Sequence, residues 1–204
     1  MSKKIIVFCF LICFFVNIFP LTVQAAKSTK SMKVIDTDKD GLADNLEKDI
    51  YHTDIANPDS DNDGYQDGEE VSNNYDPNSN DSSQLTKKIA VTIKDQTLRY
   101  YLGPYQVGSF KISSGIKNHP TPSGSFLIDK KLDTHVYKGK GYFYPNTKWN
   151  MRFLYHQEGS YYIHGAYWHN RFGHPASHGC INVSYKNMET LYNWTPVGTL
   201  VEIN

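Results

Sequence analysis

Cysteine is scarce in this sequence, and its scarcity limits what a thiol can do here. Three cysteines occur among 204 residues, and two of them, Cys9 and Cys13, lie in an apolar run near the N-terminus. Once that run is removed a single thiol remains, so an internal disulfide is excluded. A lone cysteine without a partner in its own chain is a candidate for chemistry, and this cysteine is Cys180.

Long apolar runs are equally scarce outside the N-terminus. There, a basic start is followed by apolar residues from Ile5 to Phe19 and by an A-x-A-like end at Ala25. The pattern predicts a secretory signal over residues 1–25 and hence a secreted, extracytoplasmic protein. The alternative is an uncleaved membrane anchor, since the run approaches the ~20 residues that span a bilayer. We expect no nucleic-acid partner, and membrane contact only if the signal is kept.

The net charge is zero, but the two signs are separated along the chain. Residues 36–81 carry fifteen acidic side chains and two lysines, a balance of −13, whereas residues 82–204 carry six acidic and fourteen basic side chains, a balance of +8. This division predicts two modules with different partners, and the basic one would suit an anionic surface such as cell-wall polymers. The organisation that we expect is a signal at 1–25, linkers at 26–35 and 82–86, an acidic module at 36–81 and a larger domain at 87–204.

The acidic module contains an internal repeat with an offset of 23 residues. In each copy, four aspartates, a glycine and a glutamate occupy the oxygen-donating and turning places of a twelve-residue calcium loop. Place 7 contributes only its carbonyl oxygen, so its side chain is free to vary. The alternative, an acidic disordered linker, does not explain two copies in register. We therefore predict structural Ca²⁺, with the ligands Asp36, Asp38, Asp40, Leu42, Asp44 and Glu47 in one loop and Asp59, Asp61, Asp63, Tyr65, Asp67 and Glu70 in the other.

The same two segments resemble bacterial thrombospondin type-3 repeats. The resemblance rests on D-T-D-K-D-G-L-A-D-N-L-E from Asp36 and on N-P-D-S-D-N-D-G-Y-Q-D-G-E-E from Asn57. It implies a calcium-dependent spacer or adhesion element outside the cell. Apolar residues between Leu42 and Tyr51 predict one short helix after the first loop, and no apolar helix precedes it, so a paired EF-hand is not expected.

From Lys87 onwards the sequence changes to period-two alternation. Apolar residues alternate with smaller or polar ones at 89–93, 98–102, 110–112, 126–128 and 161–164. Short strands punctuated by Gly, Pro and Asn predict a mostly β domain, a sandwich or a barrel. One helix is expected from Tyr185 to Trp194, capped by Ser184, and a last strand from Thr199 to Ile203.

Cys180 ends a histidine-rich segment. It follows Ser177-His178-Gly179 directly, and His164-Gly165 begins sixteen positions before it. A thiolate can attack an acyl carbon while a nearby imidazole accepts the proton, and a glycine allows the backbone to approach a substrate closely. A lone buried cysteine can equally be a small inert hydrophobe, and the surrounding motif argues against that alternative.

Residues 87–204 resemble the L,D-transpeptidase catalytic domain family. The resemblance rests on I-H-G followed by S-H-G-C, on I-A-V-T-I-K-D-Q-T-L-R-Y-Y from Ile89, on S-S-G with T-P-S-G-S-F, and on the terminal V-G-T-L-V-E-I. It implies a β-sandwich of mixed sheets with one or two short helices, and an active site in a cleft under a lid. It also implies action on peptidoglycan stem peptides, with no cofactor for catalysis.

By the same resemblance, Cys180 attacks the carbonyl of the third stem residue and forms a thioester, which the amine of a neighbouring stem converts into a 3→3 cross-link. His164 serves as base and acid, oriented by the carbonyl of Gly165, while His178, Gly179 and the Cys180 N–H line the oxyanion side. His178 is the alternative base. Alternative functions are an L,D-carboxypeptidase with water as acceptor, a calcium-stabilised wall-binding or adhesion protein with an inactive domain, and an unrelated cysteine peptidase.

The predicted substrate-binding residues are Ser177, Asn182, Arg171, Tyr167 and Trp168. Many family members have an arginine two places after the cysteine, where Asn182 stands in this chain. Recognition of the stem carboxylate is therefore expected from another cation, with Arg171 and Arg152 as the candidates.

Overall fold

The computed structural model describes residues 34–157 and 159–204. The signal predicted at 1–25 and most of the linker predicted at 26–35 lie outside the described residues. The helices are α1 (Asp44–Leu46), which continues as a π-helical turn (Glu47–Tyr51), α2 (Asp67–Asn73) and α3 (Tyr185–Trp194). The strands are β1 (Lys87–Thr92), β2 (Thr97–Leu102), β3 (Tyr105–Lys111), β4 (Gly124–Leu127), β5 (Lys130–Gly139), β6 (Tyr142–His156), β7 (Gly159–Ala166), β8 (Ile181–Ser184) and β9 (Leu200–Ile203).

The strands form two mixed sheets. The first has five strands in the order β3-β2-β1-β9-β4, and the second has four in the order β5-β6-β7-β8. β1 pairs in parallel with β9, and β7 pairs in parallel with β8. The other neighbours are antiparallel. The prediction of a mostly β fold with mixed sheets is therefore confirmed.

The main core lies between the two sheets and is closed by α3. Ile89 and Val91 of β1 are buried and their neighbours are partly exposed, which confirms the predicted alternation. They share one apolar cluster with Ile163 of β7 and Leu191 of α3. The helix covers the predicted residues, but Ser184 at its N-terminal boundary makes no capping hydrogen bond through its side chain.

The hairpin β5–β6 is the part of the fold that alternation does not predict. β6 is 15 residues long and pairs with β5 on one side and with β7 on the other. Asn146 and Trp149, both inside β6, have φ angles of 53° and 57°. Residues other than glycine rarely adopt this left-handed conformation, and it interrupts the regular alternation of side chains along a strand.

The acidic module packs against the β domain through a second, smaller core. Leu42 and Tyr51 of the module are buried in one cluster with Leu102 of β2, and Leu85 packs against that cluster. The Leu85 N–H also donates to the carbonyl of Asn74 at 2.7 Å. The two parts of the chain therefore share apolar contacts across the segment between them. No helix within residues 34–157 and 159–204 has the length and apolarity needed to cross a membrane.

Candidate functional site

His164 and Cys180 face one cavity, from a strand and from the turn directly before its parallel neighbour. His164 lies on β7, and Cys180 directly precedes β8. In the ladder, His164 is opposite Asn182, which places Cys180 two residues before the partner of the histidine. Both side chains line a cavity of about 550 Å³. Parallel pairing thus brings together two groups that are sixteen positions apart in the sequence.

The imidazole of His164 is held in one orientation by its own neighbour. Its Nδ1 lies 2.9 Å from the carbonyl oxygen of Gly165. The carbonyl can only accept, so Nδ1 carries the proton and Nε2 is left with a lone pair. Burial lowers the pKa of His164 to about 4, and the Gly165 carbonyl opposes this in part. At neutral pH the ring is therefore uncharged and able to accept a proton.

Gly165 is required by the packing around this carbonyl. A Cβ atom at this position would lie 2.6 Å from the ring of Tyr185 and 3.1 Å from the carbonyl oxygen of Lys148. The phenol oxygen of Tyr185 in turn accepts the Lys148 N–H at 3.1 Å. A side chain at 165 would therefore displace the Tyr185 ring or shift the strand backbone that carries the Gly165 carbonyl.

The Cys180 thiol is protonated at rest. Burial raises its pKa to about 11, and the Tyr162 N–H lowers it in part. A thiol with that pKa and an imidazole with a pKa of about 4 form a neutral pair at pH 7. For Cys180 to act as a nucleophile, its proton would therefore have to pass to Nε2 of His164.

The turn before Cys180 is held from within and from a neighbouring segment. The Ser177 hydroxyl donates to the Cys180 carbonyl and accepts the Gly179 N–H at 3.1 Å. Gly179 has a φ of 112°, and a Cβ there would lie 2.7 Å from the Tyr161 ring. Thr121 Oγ1 donates to the Gly179 carbonyl at 2.8 Å. Ser177 thus supports the turn, and the Gly179 N–H, expected on the oxyanion side, is occupied by Ser177.

The S-S-G motif lies directly beside the cysteine turn. The N–H of Ser113 donates to the Asn182 carbonyl, and the N–H of Asn182 donates back to Ser113, both at 2.9 Å. The Ser177 N–H donates to the Ser114 carbonyl at 3.0 Å. This contact explains why S-S-G and S-H-G-C, which are far apart in the sequence, belong to one pattern.

Aromatic side chains from the hairpin β5–β6 form one wall of the cavity. Tyr144 stacks on Trp168 with ring centroids 3.9 Å apart and an interplanar angle of 3°. Tyr142 stacks on His178 at 4.6 Å, and Tyr137 stacks on His164 at 4.4 Å. The sequence analysis missed these three tyrosines. Their signal was the enrichment in aromatic residues around the turn K-G-K-G, with Tyr137 before it and Tyr142-Phe143-Tyr144 after it, which is typical of a hairpin.

Three of the five substrate-binding residues predicted from the sequence line the cavity in the structure, and two do not. Ser177, Asn182 and Trp168 line the cavity, whereas Tyr167 and Arg171 are not among its lining residues. Tyr167 is 49% exposed, and its hydroxyl donates to the carbonyl of residue 145 at 2.9 Å.

No arginine or lysine occurs among the described residues that line the cavity. Arg171 is exposed to solvent. Arg152, the other candidate cation, forms a salt bridge with Asp129, with Nε 2.8 Å from Oδ1. The Asn182 amide nitrogen lies 2.9 Å from Nε2 of His169. Neutral donors and aromatic faces are therefore what this cavity offers to a substrate.

Each acidic loop brings three carboxylates together. One carboxylate oxygen from each member of Asp36-Asp38-Asp40, and likewise of Asp59-Asp61-Asp63, lies within 4.8 Å of the others. Glu47 and Glu70 are buried, and each has one oxygen without a hydrogen-bond partner. Burial, followed by the nearby Asp38 or Asp61 carboxylate, raises the pKa of each glutamate to about 7. Such an arrangement of hard oxygen atoms fits a divalent cation.

The remaining predicted ligands brace the loops. The backbone N–H and hydroxyl of Thr37 donate to the two oxygens of Asp44, and those of Ser60 donate to the two oxygens of Asp67. At the other loop places, the Leu42 N–H donates to Asp40 and the Tyr65 N–H donates to Asp63.

The two loops also touch each other. The second oxygen of Asp40 accepts the N–H of Gly68 at 2.8 Å. A Cβ atom at Gly68 would lie 2.4 Å from the Asp40 carbonyl oxygen, so this contact requires glycine.

Comparison with known proteins places both parts of the chain. Residues 86–203 match the family model of the L,D-transpeptidase catalytic domain, and residues 36–54 and 59–80 match the bacterial TSP3 repeat. A search among curated proteins gives no match.

Among solved structures, an L,D-transpeptidase from Mycobacterium smegmatis is 23% identical with a TM-score of 0.54, and the match covers 59% of each chain. An L,D-transpeptidase in complex with imipenem is 25% identical with a TM-score of 0.55, covering 59% of this chain and 60% of that one. The catalytic domain of the Enterococcus faecium enzyme is 26% identical with a TM-score of 0.51, covering 60% of this chain and all of that domain.

Proposed function

The chain belongs to the L,D-transpeptidase catalytic domain family, and on that premise we propose that it is an exported enzyme that forms 3→3 cross-links between peptidoglycan stem peptides. The observation that carries the proposal is the position of His164 on β7 and of Cys180 directly before its parallel neighbour β8, both at one cavity and with Nε2 of His164 unprotonated.

In the first half-reaction, Cys180 Sγ bonds to the carbonyl carbon of the third stem residue, and its proton passes to Nε2 of His164. The tetrahedral intermediate places negative charge on oxygen, near the main chain of His178 and Cys180 at the cysteine turn. When the bond to the terminal D-alanine breaks, the leaving amine takes the proton from the imidazolium. A thioester on Cys180 remains, and the histidine is neutral again.

In the second half-reaction, the side-chain amine of a neighbouring stem attacks the thioester. Nε2 of His164 accepts a proton from the amine, and the departing Cys180 thiolate receives it back. Water in place of the amine would give hydrolysis, the carboxypeptidase alternative. The rings of Tyr142, Tyr144 and Trp168 line the same cavity as Cys180. A stem peptide bound against them would exclude water from the thioester and so favour transfer over hydrolysis.

The acidic module is proposed to hold Ca²⁺ at both loops. The ligands would be the aspartate trios with Glu47 and Glu70, each of which has one buried oxygen without a hydrogen-bond partner within residues 34–157 and 159–204. Leu42 and Tyr65 would add carbonyl oxygens, and Asp44 and Asp67 would complete the loops. The cation would offset the repulsion between carboxylates and fix the loops. Since the module shares a core with the β domain, we propose a rigid calcium-dependent support for the enzyme.

The decisive experiment is incubation of the calcium-loaded protein with purified peptidoglycan, followed by chromatography and mass spectrometry of the digested stem peptides. The proposal expects 3→3 dimers, and none with Cys180→Ala. Tripeptides without dimers would identify the carboxypeptidase, and cleavage at other bonds an unrelated peptidase. No product from a folded protein would favour the wall-binding alternative.

A further inference from the structure

Tyr137 lies directly against the proposed catalytic base. Its ring stacks on the imidazole of His164 with centroids 4.4 Å apart and an interplanar angle of 27°. Tyr137 also lines the cavity and makes edge contacts with His135 and Tyr162 at 4.8 and 6.0 Å. One face of the base is therefore covered by an aromatic ring, and the ring itself is confined by its neighbours.

The phenol of Tyr137 is anchored at its far end. Its hydroxyl donates to Oδ1 of Asn150 at 3.0 Å. Asn150 is fully buried, and its Nδ2 donates to the carbonyls of Thr147 and Leu132 at 2.8 and 3.2 Å. Both ends of the amide are thus satisfied, which fixes which atom faces the phenol.

The backbone explains why Asn150 can act as an anchor. It is opposite His164 in the pairing of β6 with β7, and opposite Leu132 in the pairing of β6 with β5. The residue before it, Trp149, has the left-handed φ of 57°. A bulky residue keeps such a conformation only where its surroundings demand it, and such sites concentrate at functional positions. The kink in β6 therefore lies next to the residue that holds Tyr137.

We propose that Tyr137, anchored by Asn150, is a positioning residue for His164. Stacking fixes the plane of the imidazole so that Nε2 faces Cys180, and the electron-rich face of the phenol stabilises the imidazolium that forms when the thiol loses its proton. The inference rests on the proposed function, because it assigns Tyr137 a role only if His164 accepts that proton.

The pH dependence of Cys180 alkylation tests this arrangement, because His164 and Cys180 both titrate outside the neutral range. Between the pKa of His164, about 4, and that of Cys180, about 11, reactivity toward iodoacetamide should be level, and it should fall as His164 becomes protonated. The alkylation rate in this pH-independent range, the plateau rate, measures how readily the proton passes from the thiol to the imidazole. The titratable groups that face His164 are His135 and Tyr137 from β5, Cys180 from the turn before β8, and His169 from the segment after β7.

The experiment compares alkylation rates from pH 3.5 to pH 8 in the calcium-loaded full chain and in three tyrosine variants. Tyr137→Leu removes the ring, and the plateau alkylation rate should fall about tenfold. The pH below which the rate declines, the acid limb, should stay the same or move to lower pH. Tyr137→Phe keeps the ring but not the anchor, and a loss of about threefold is expected, comparable to one ordinary hydrogen bond. Tyr155→Leu makes the same change at an exposed site of β6 outside the cavity, and should match the parent.

A Tyr137→Leu variant that is folded by circular dichroism and reacts at the parental rate overturns the proposal. So does an acid limb that moves up toward pH 6.5 without loss of rate, because the ring would then only exclude water. Should the leucine variant not fold, the phenylalanine variant decides, and an unchanged rate there removes the anchoring role. His164→Ala distinguishes failure of the proposed function from failure of the role given to Tyr137. If this variant is alkylated at the parental rate, His164 is not the base and the proposed function fails.

Discussion

Tyr51, in the acidic module, packs against Tyr105 at the start of β3, with ring centroids 5.2 Å apart and an interplanar angle of 57°. Asn78 connects both residues, since its amide nitrogen donates to the Tyr51 carbonyl at 2.9 Å and contacts the Tyr105 hydroxyl at 3.1 Å. The Tyr105 hydroxyl donates in turn to Asp76 at 2.5 Å. The module is therefore attached to the β domain by polar and apolar contacts together.

Removal of calcium should consequently destabilise the β domain as well as the module. All three tryptophans, Trp149, Trp168 and Trp194, lie within residues 87–204, so their fluorescence reports on that domain, and Trp194 also packs against the core shared with the module. Excess chelator should lower the midpoint of the fluorescence transition by about 5–10 °C, the shift expected when a ligand at ~100 times its Kd is withdrawn.

Leu102→Ala is the matched control for this coupling, because it weakens the shared core without touching a loop carboxylate. In that variant, far-UV circular dichroism, which includes the module helices α1 and α2, should show an additional transition on chelation at a lower temperature than the fluorescence transition of the domain. If the fluorescence midpoint of the parent protein is the same with and without chelator, calcium binding in the module does not stabilise the β domain through the shared core.

The stability of the calcium-free protein should fall as the pH rises from 5 to 8. Glu47 and Glu70 have a pKa of about 7 in the folded chain, against an ordinary value of 4.5. The folded state therefore binds more protons in this range, and the stability present below pH 4.5 is lost as the pH passes through 7. Urea unfolding at several pH values in chelator measures the effect.

Calcium in excess should remove this decline, because the cation takes the place of the two protons. The double variant Glu47→Gln and Glu70→Gln should also remove it, since neither amide titrates. A parent protein whose calcium-free stability is constant between pH 5 and 8 would exclude these glutamates as the cause.

His164 and His178 should differ sharply when each is replaced. His164→Ala should slow acylation of Cys180 by a carbapenem by ~10²–10⁴-fold, the usual contribution of a general base. His178→Ala should stay within about tenfold, because the exposed ring stacks on Tyr142 and its loss leaves Nε2 of His164 in place. Intact-mass spectrometry over time measures both rates, and the reverse order would assign the base to His178.

Gly165→Ala should impair both folding and the thiol. The added methyl group would meet the Tyr185 ring at 2.6 Å, and forcing it in should cost about 1–3 kcal/mol of unfolding free energy. Thermal unfolding and iodoacetamide alkylation measure the two effects. Adding Tyr185→Ala makes room and should recover part of the alkylation rate. Additive losses in the double variant would show that the ring is not the obstacle.

The sequence predicts those strands whose burial is regular. Ile89, Val91, Leu98 and Leu102 alternate because one face of each strand lies in the core, and burial imposes a period of two. β5 and β6 have no such face over most of their length, and the left-handed residues of β6 shift side chains out of register. Their pattern is therefore weak, although the hairpin carries the aromatic wall of the site.

Some residues of the candidate site could be predicted from their type, and others only from their position in the fold. The motif names His164 and Cys180 because their chemistry depends on residue type, which the sequence states directly. Carboxylate recognition by Arg171 was argued from charge alone, and charge does not say where a side chain points; Arg171 lies outside the cavity lining. Tyr137 was missed because its role depends on stacking across β5, β6 and β7, which only the pairing of the strands defines.

The parallel pairing of β7 with β8 sets a one-sided limit on how this protein can change. Parallel neighbours need a crossover of roughly a dozen residues or more, and only fourteen separate Ala166 from Ile181. Deletions in this stretch would pull Cys180 out of alignment with His164, whereas insertions can extend outward and leave the pairing of β7 with β8 intact. Changes of substrate range, in nature or in the laboratory, should therefore arise by insertions in the connection between β7 and β8, residues 167–180.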